Sequence, residues 1–215
     1  MDQAHFNMVE QQIRPWEVLD PRVLEVFAQI PRADFVSDKY RGLAYADLQI
    51  PLGHQQSMMS PKVEARMLQA LDIKISERIL EIGTGSAYVT ALMATLGHHV
   101  FSVDIFPEFI HNGARLLKLH HIENVTLEVG DAAQGWKANG PYDVIAVTGS
   151  LPLYTPVFEN LLKENGRLFV VTGVAPVMEA WLLTRTGPHQ YAKEVLFETV
   201  LAPLINAPQP EAFVF

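Results

Sequence analysis

The residues of this 215-residue chain best placed to do chemistry lie between Glu81 and Asp104. Gly83-Thr84-Gly85 separates a short apolar run, Ile79–Ile82, from a segment with apolar residues at helical spacing, Ala87–Leu96. Strand, glycine turn and helix in that order make the first half of a βαβ nucleotide-binding unit. The glycines let a ligand lie against the backbone, and the helix N-terminus offers it unpaired N–H groups. The loop is neither a G-x-G-x-x-G fingerprint, because position 88 is Tyr, nor a G-x-x-x-x-G-K-[ST] phosphate loop. It suits an uncharged or zwitterionic adenosine ligand rather than a diphosphate. Asp104 closes the next strand-like run, His99–Asp104, about twenty residues after the glycines, where a ribose-binding acid belongs. Read alone it is a cap for the helix starting near Pro107; behind the glycine loop it reads as the ribose acid.

The elements that must position these residues alternate. A helix is expected over Glu108–Leu119, a strand over Asn124–Val129, and a near-continuous apolar strand over Tyr142–Val147. A helix over Val157–Leu162 and a strand over Gly166–Thr172 follow. Strand–helix alternation with continuous apolar strands predicts a parallel sheet covered on both faces, with ligands at the carboxyl ends of the strands. Glu81, Asp104, Asp131 and Thr148 all fall at or near those ends. Taken singly, Glu81 is a solvated strand-end acid and Asp131 a turn former after Gly130; their convergence on one edge points to a ligand.

Ahead of this core, Phe6, Val9 and Ile13 predict a helix stopped by Pro15, and Asp20-Pro21 starts a second that ends at Pro31. Residues 35–45 read as loop with one helical turn. IPLGHQQSMMSP, residues 50–61, reads as a polar loop that either connects helices or folds over the ligand, before a helix over Pro61–Leu71. At the other end, Val195–Phe197 and Thr199–Leu201 suggest a terminal antiparallel pair. A single domain over 1–215 is expected, with a helical cap and loop over 1–75 and the ligand-binding core over 76–215.

Composition narrows the function. Net charge is −8 with no basic cluster, which argues against nucleic-acid binding. No run approaches eighteen apolar residues, so no membrane span is expected. With no cysteine there is no disulfide, thiolate chemistry or cysteine-held metal, and no metal site is expected. Residues 1–16, with neither apolar core nor basic leader, do not read as a signal peptide, and a cytoplasmic setting is expected.

Ile30-Pro31-Arg32 with Phe35-Val36, Ala44-Tyr45-Ala46-Asp47, Pro51-Leu52-Gly53 with Gln56, and Leu80–Ser86 together resemble segments of the protein-L-isoaspartate O-methyltransferases, a family of class I S-adenosylmethionine methyltransferases. Ile30-Pro31-Arg32 with Phe35-Val36 is similar to the family's P-R-x-x-F-V, and Ala44-Tyr45-Ala46-Asp47 to its A-Y-x-D. Pro51-Leu52-Gly53 with Gln56 resembles its P-I-G-x-G-Q loop. Leu80–Ser86 and Val147-Thr148-Gly149 complete the match. The resemblance implies a Rossmann-like, doubly wound, mostly parallel seven-stranded α/β sheet with an antiparallel C-terminal strand pair. It implies S-adenosyl-L-methionine as cofactor, S-adenosyl-L-homocysteine as product, and isoaspartyl peptides or proteins as partners. Glu81, Gly83 and Gly85 would then meet the methionine end, Asp104 the ribose and Asp131 the adenine. Ser57, Thr84, Ile105, Ala132 and Thr148 complete the candidate cofactor set.

The departures from the family's pattern cluster on the acceptor side. The family's loop reads Q-T-I-S-x-P, with its Ser assigned to catalysis. Here Gln56-Ser57-Met58-Met59-Ser60-Pro61 puts Met59 at that position, and methionine cannot donate a hydrogen bond to a carboxylate. Ser57 and Ser60 are therefore the candidate catalytic residues. Ala87 replaces the last glycine of G-T-G-S-G and is expected to add a Cβ near the ligand. Val171 stands where the family has Pro, and Glu179 where it has Gln, a carboxylate that would repel an anionic acceptor. Three readings stand at this point: an isoaspartyl methyltransferase; a methyltransferase of the same fold with a small-molecule acceptor and His54 as base; and a non-catalytic cofactor-binding protein using Met58-Met59 as an adaptable contact.

Overall fold

The apolar runs fold as interior strands because both of their faces are covered. The computed structural model describes residues 2–211. Its strands are β1 (Ile50–Gly53), β2 (Gln56–Met58), β3 (Arg78–Ile82), β4 (His99–Asp104), β5 (Val125–Val129), β6 (Tyr142–Leu151), β7 (Leu162–Val174), β8 (Val177–Gly187) and β9 (Gln190–Glu198). Its helices are α1 (Gln3–Asn7), α2 (Pro21–Gln29), α3 (Pro61–Leu71), α4 (Tyr88–Leu96) and α5 (Pro107–Leu119). Seven strands form one sheet in the order β5-β4-β3-β6-β7-β8-β9, and β1 and β2 form a separate hairpin. Neighbours from β5 to β7 are parallel, while β8 and β9 run antiparallel, as the resemblance implied. After β3 the chain winds outward through β4 and β5, then returns to the other side of β3 as β6. That reversal opens a crevice at the carboxyl end of β3, where open α/β sheets bind ligands.

Side-chain alternation along each strand divides the core in two. Ile79, Val100, Val144, Ala146, Phe169 and Val171 face α2 to α5. Leu80, Ile82, Val103, Ile145, Val147 and Val170 face the opposite way, where Trp136, Tyr154, Phe158 and Leu204 cover them. Loops and the C-terminal segment, rather than helices, thus cover much of the second face. The helix expected over Val157–Leu162 is only a 3-10 turn, Glu159–Leu161. Pro152 and Pro156 precede it and β7 already begins at Leu162, which leaves no room for two α-helical turns.

The N-terminal segment is helical as expected, with α1 running on in wider turns over Met8–Ile13 and a 3-10 turn over Arg14–Trp16. Residues 32–35 and 38–43 are 3-10 turns. Two stretches differ from expectation. The polar loop at 50–61 contains the β1–β2 hairpin, turned by His54 and Gln55 at φ 51° and 60°. Asn and Gly usually supply that left-handed pair, so the sequence carries no hairpin signal. The C-terminal strand pair is β8 with β9: Val195–Phe197 belongs to β9, but Thr199–Leu201 lies beyond it. Instead the chain crosses to the end of β6, where the Ser150 N–H donates to Ala202 O (2.9 Å) and the Leu204 N–H to Ser150 O (3.0 Å).

Candidate active site

Gly83 and Gly85 turn the chain out of β3 at φ 100° and 51°. A Cβ on Gly83 would lie 2.5 Å from Thr148 Oγ1. That hydroxyl is in reach of Ile82 O (2.9 Å) and Gly83 O (2.7 Å), so β6 clamps the glycine loop from beside it. The turn borders a cleft of about 580 Å³, its open mouth included. Gly83, Gly85, Asp104, Ile105, Asp131, Ala132, Thr148 and Ser57 all line it. A smaller inner chamber continues past Gly83 and Gly85 to Thr84, Glu81, Met59 and Glu64, with Ser57 and Thr148 common to both parts. Every residue of the candidate cofactor set therefore lines either the cleft or the chamber that shares its Gly83–Gly85 wall.

Asp104 is buried at the end of β4. Its carboxylate accepts the backbone N–H of Gly85 (2.9 Å) and of Phe106 (3.0 Å), which fixes both oxygens at the cleft floor. Burial pushes its carboxyl above the usual range despite those donors. Asp131 accepts the Ala133 N–H (3.0 Å) and the side-chain amide of Asn206 (2.8 Å). Asn206 follows Leu204 and Ile205, which line the cleft, so the C-terminal segment closes its wall beside Asp131. This contribution had no local signal in the sequence.

Glu81 is fully buried, the opposite of a solvated strand-end acid. Its Oε2 accepts from Thr90 (2.5 Å) and Ser102 (2.6 Å), and Thr84 Oγ1 lies 2.6 Å from Ser102 Oγ. Among the described residues its Oε1 has no partner. Burial pushes the carboxyl up to about 8; the two hydroxyls oppose the shift and the nearby Asp104 charge adds to it. Thr90 and Ser102 were missed in the sequence. Both left a trace: Thr90 is a polar residue in an apolar helix, and Ser102 lies two residues before Asp104 in one strand.

In the segment after the β1–β2 turn the two candidate serines part company. Ser57 lines both chambers, with its hydroxyl donating to Gln49 Oε1 (3.1 Å). Ser60 sits at the N-cap of α3, outside the lining. Met59 lines the inner chamber, and its carbonyl accepts from Arg32 (2.5 Å). Arg32 also bonds Ala44 O (2.9 Å) and pairs with Glu64 (3.2 Å), all within the core. Met58 and Met59 are buried rather than offered to a partner. His54 stacks on Phe106 (4.0 Å between centroids) and bonds Glu108 at the hairpin tip, outside the lining, so it is not placed as a base. The methyl of Ala87 does not meet the cleft. It faces α5, where a Cβ on Gly113 would lie 3.1 Å from it. Glu179 accepts from the Trp181 indole (2.8 Å) on β8, away from the cleft, and does not confront the acceptor.

The family model described as protein-L-isoaspartate(D-aspartate) O-methyltransferase matches residues 3–206. The chain belongs to this family. It is 40% identical over 180 residues to a protein-L-isoaspartate O-methyltransferase of Syntrophus aciditrophicus, covering 83% of this chain and 82% of that one. A solved protein-L-isoaspartate O-methyltransferase superposes with a TM-score of 0.80 at 25% identity, covering 93% of this chain and 65% of that one. A family member from Plasmodium falciparum, solved with S-adenosyl-L-homocysteine, shares the fold at a TM-score of 0.79 and 20% identity, covering 94% and 99%. Among the described residues no cluster of His, Cys, Asp or Glu could hold a metal ion, and no helix is long and apolar enough to cross a membrane.

Proposed function

We propose that the protein is an S-adenosyl-L-methionine-dependent methyltransferase that esterifies the carboxylate of isoaspartyl residues in damaged proteins, a repair activity. Family membership over nearly the whole chain carries this reading. The residues present fit the cofactor. Gly83 turns the backbone at the cleft wall, Asp104 is a fixed acid for ribose hydroxyls, and Glu81 keeps an unpartnered oxygen for an ammonium. The P. falciparum relative solved with S-adenosyl-L-homocysteine supports the same ligand class. In this reading Glu81, Gly83, Thr84 and Gly85 hold the amino-acid end, Asp104 and Ile105 the ribose, and Asp131 and Ala132 the adenine. Thr148 holds the glycine loop in shape. A chain without cysteine suits the reducing cytoplasm.

When bound, the cofactor supplies a methyl group on a sulfonium, open to in-line displacement. A carboxylate acceptor is already ionised near neutral pH, so the protein needs no general base and its work is positioning, which supplies roughly 7–11 kcal/mol in well-oriented systems. Attack by an anion on a cation removes both charges, and the apolar side chains of Met59 and Val89 in the chamber lining offer nothing to stabilise the separated pair. With Met59 unable to donate, this reading gives the acceptor to Ser57, which lines the cleft and would turn its hydroxyl from Gln49 Oε1 to orient it. Ser60 lies outside the lining of both cavities.

The test is transfer of tritiated methyl from S-adenosyl-L-methionine to an isoaspartyl peptide, with its aspartyl twin as control. Base-labile label on the isoaspartyl peptide alone is the expected result, and Ser57→Ala should lower it. Label on neither peptide, with cofactor binding intact by calorimetry, would overturn the acceptor assignment. Asp104→Ala should weaken S-adenosyl-L-homocysteine binding by roughly 10- to 100-fold, the worth of about 1.5–3 kcal/mol of charge-assisted hydrogen bonding. Unchanged binding would remove Asp104 from the cofactor site.

A further inference from the structure

Glu81 has an environment unlike that of a permanently ionised carboxylate. It projects from β3 beneath α4, fully buried, with both of its hydrogen-bond donors on one oxygen. Ser102 gives its hydrogen to Oε2, so the Thr84 hydroxyl beside it is left to donate to Ser102. The hydroxyls thus form a one-way chain that ends at Oε2 and leaves Oε1 unserved. The charged groups on the neighbouring elements do not neutralise it. Asp104, on the adjacent strand β4, is an acid of the same sign. Glu64, from α3, lines the same inner chamber but is occupied by Arg32 (3.2 Å). Arg32 in turn spends its remaining donors on Ala44 O and Met59 O. A buried carboxyl with an unpaired oxygen and, among the described residues, no free cation against it costs least when it carries a proton.

We propose that Glu81 is protonated in the free protein and releases that proton to solvent when the ammonium of the cofactor's amino-acid end arrives against Oε1. The inference rests on the reading that the inner chamber takes that end of the ligand. The exchange balances. A neutral carboxyl and a cationic ammonium enter, a carboxylate–ammonium pair remains, and one proton leaves to buffer. When S-adenosyl-L-homocysteine departs, the carboxyl takes a proton back. Cofactor affinity therefore rises with pH while Glu81 is protonated in the free protein, by up to about tenfold per unit, and levels off above that range. The same exchange makes Glu81 selective for a cationic amine. A ligand that fills only the adenosine part of the cleft gains nothing from it.

The deciding experiment is titration calorimetry of the full chain with S-adenosyl-L-homocysteine at pH 7, in phosphate and in Tris, whose ionisation heats differ widely. 5′-Methylthioadenosine, which lacks the amino-acid end, is titrated in parallel. The expected result is release of about one proton per S-adenosyl-L-homocysteine and none for 5′-methylthioadenosine, with the release lost in Glu81→Gln. Equal heats in the two buffers for S-adenosyl-L-homocysteine would overturn the proposal. So would an equal release for 5′-methylthioadenosine, which would move the titration to the ribose end and Asp104. If Glu81→Gln does not fold, the two ligands with the unaltered protein still decide the matter. Absence of any S-adenosyl-L-homocysteine binding would instead sink the cofactor reading itself, a different and recognisable outcome.

Discussion

Glu81 and Met59 show how far a single side chain depends on what encloses it. The Glu81 carboxyl is pushed up to about 8 by burial, so folding favours its protonated form. The sign follows from linkage. Its contribution to stability is fully present below the unfolded-state carboxyl range, near pH 4.5, and is lost as pH rises through about 8. Glu81→Gln cannot titrate. Urea midpoints measured from pH 5 to pH 8 should therefore fall for the parent relative to the variant; parallel curves would remove the buried charge from the account. Met59 raises a different balance. Restoring a hydroxyl with Met59→Ser should cost roughly 2–4 kcal/mol of stability, because it empties a buried position. In the repair reading it should also raise turnover of an isoaspartyl peptide about tenfold, the worth of one hydrogen bond to a charged group. Activity unchanged in a folded variant would mean that position 59 does not meet the acceptor.

At the level of elements, the strand–turn–helix from β3 to α4 and the β1–β2 hairpin form two walls of one cleft. The turn works because Gly83 holds φ 100° with Thr148 packed against it. Gly83→Ala would meet both the left-handed backbone and the 2.5 Å approach to Thr148 Oγ1. A cost of about 1–3 kcal/mol and a marked loss of cofactor affinity are expected in thermal melts and calorimetry. Native-like values for both would contradict the clamp. The next departure from the family pattern is absorbed differently. Ala87 takes φ 65° without glycine, and its methyl lies toward Gly113 on α5, where the missing side chain leaves it room. The hairpin closes over the cleft from the cap side, with its tip held to α5 by His54 on Phe106 and Glu108.

Across the whole molecule, the buried Arg32–Glu64 pair and the Arg32 bond to Met59 O join the cap to the loop after β2, and the C-terminal segment seals the opposite side of the cleft. Glu64→Ala leaves Arg32 buried without a counter-charge and should cost roughly 3–5 kcal/mol in chemical denaturation. Replacing both partners, Arg32→Met with Glu64→Leu, should recover most of that loss, since it removes the uncompensated charge as well. A double variant as unstable as the single one would show that packing, not charge, dominates there. By itself the sequence determined the parallel core, the glycine loop and the acids at the strand ends. These are local patterns: apolar runs bounded by glycine, and a fixed distance from Gly83 to Asp104. The tertiary structure alone decided which loop serine faces the cleft, which way the Ala87 methyl points, and that Thr90 and Ser102 serve Glu81. It also brought Leu204 to Asn206 beside Asp131, across more than seventy residues of chain. Such contacts join residues far apart in sequence, and their direction is set by strand register and by the path of connecting loops. No local spacing encodes either one.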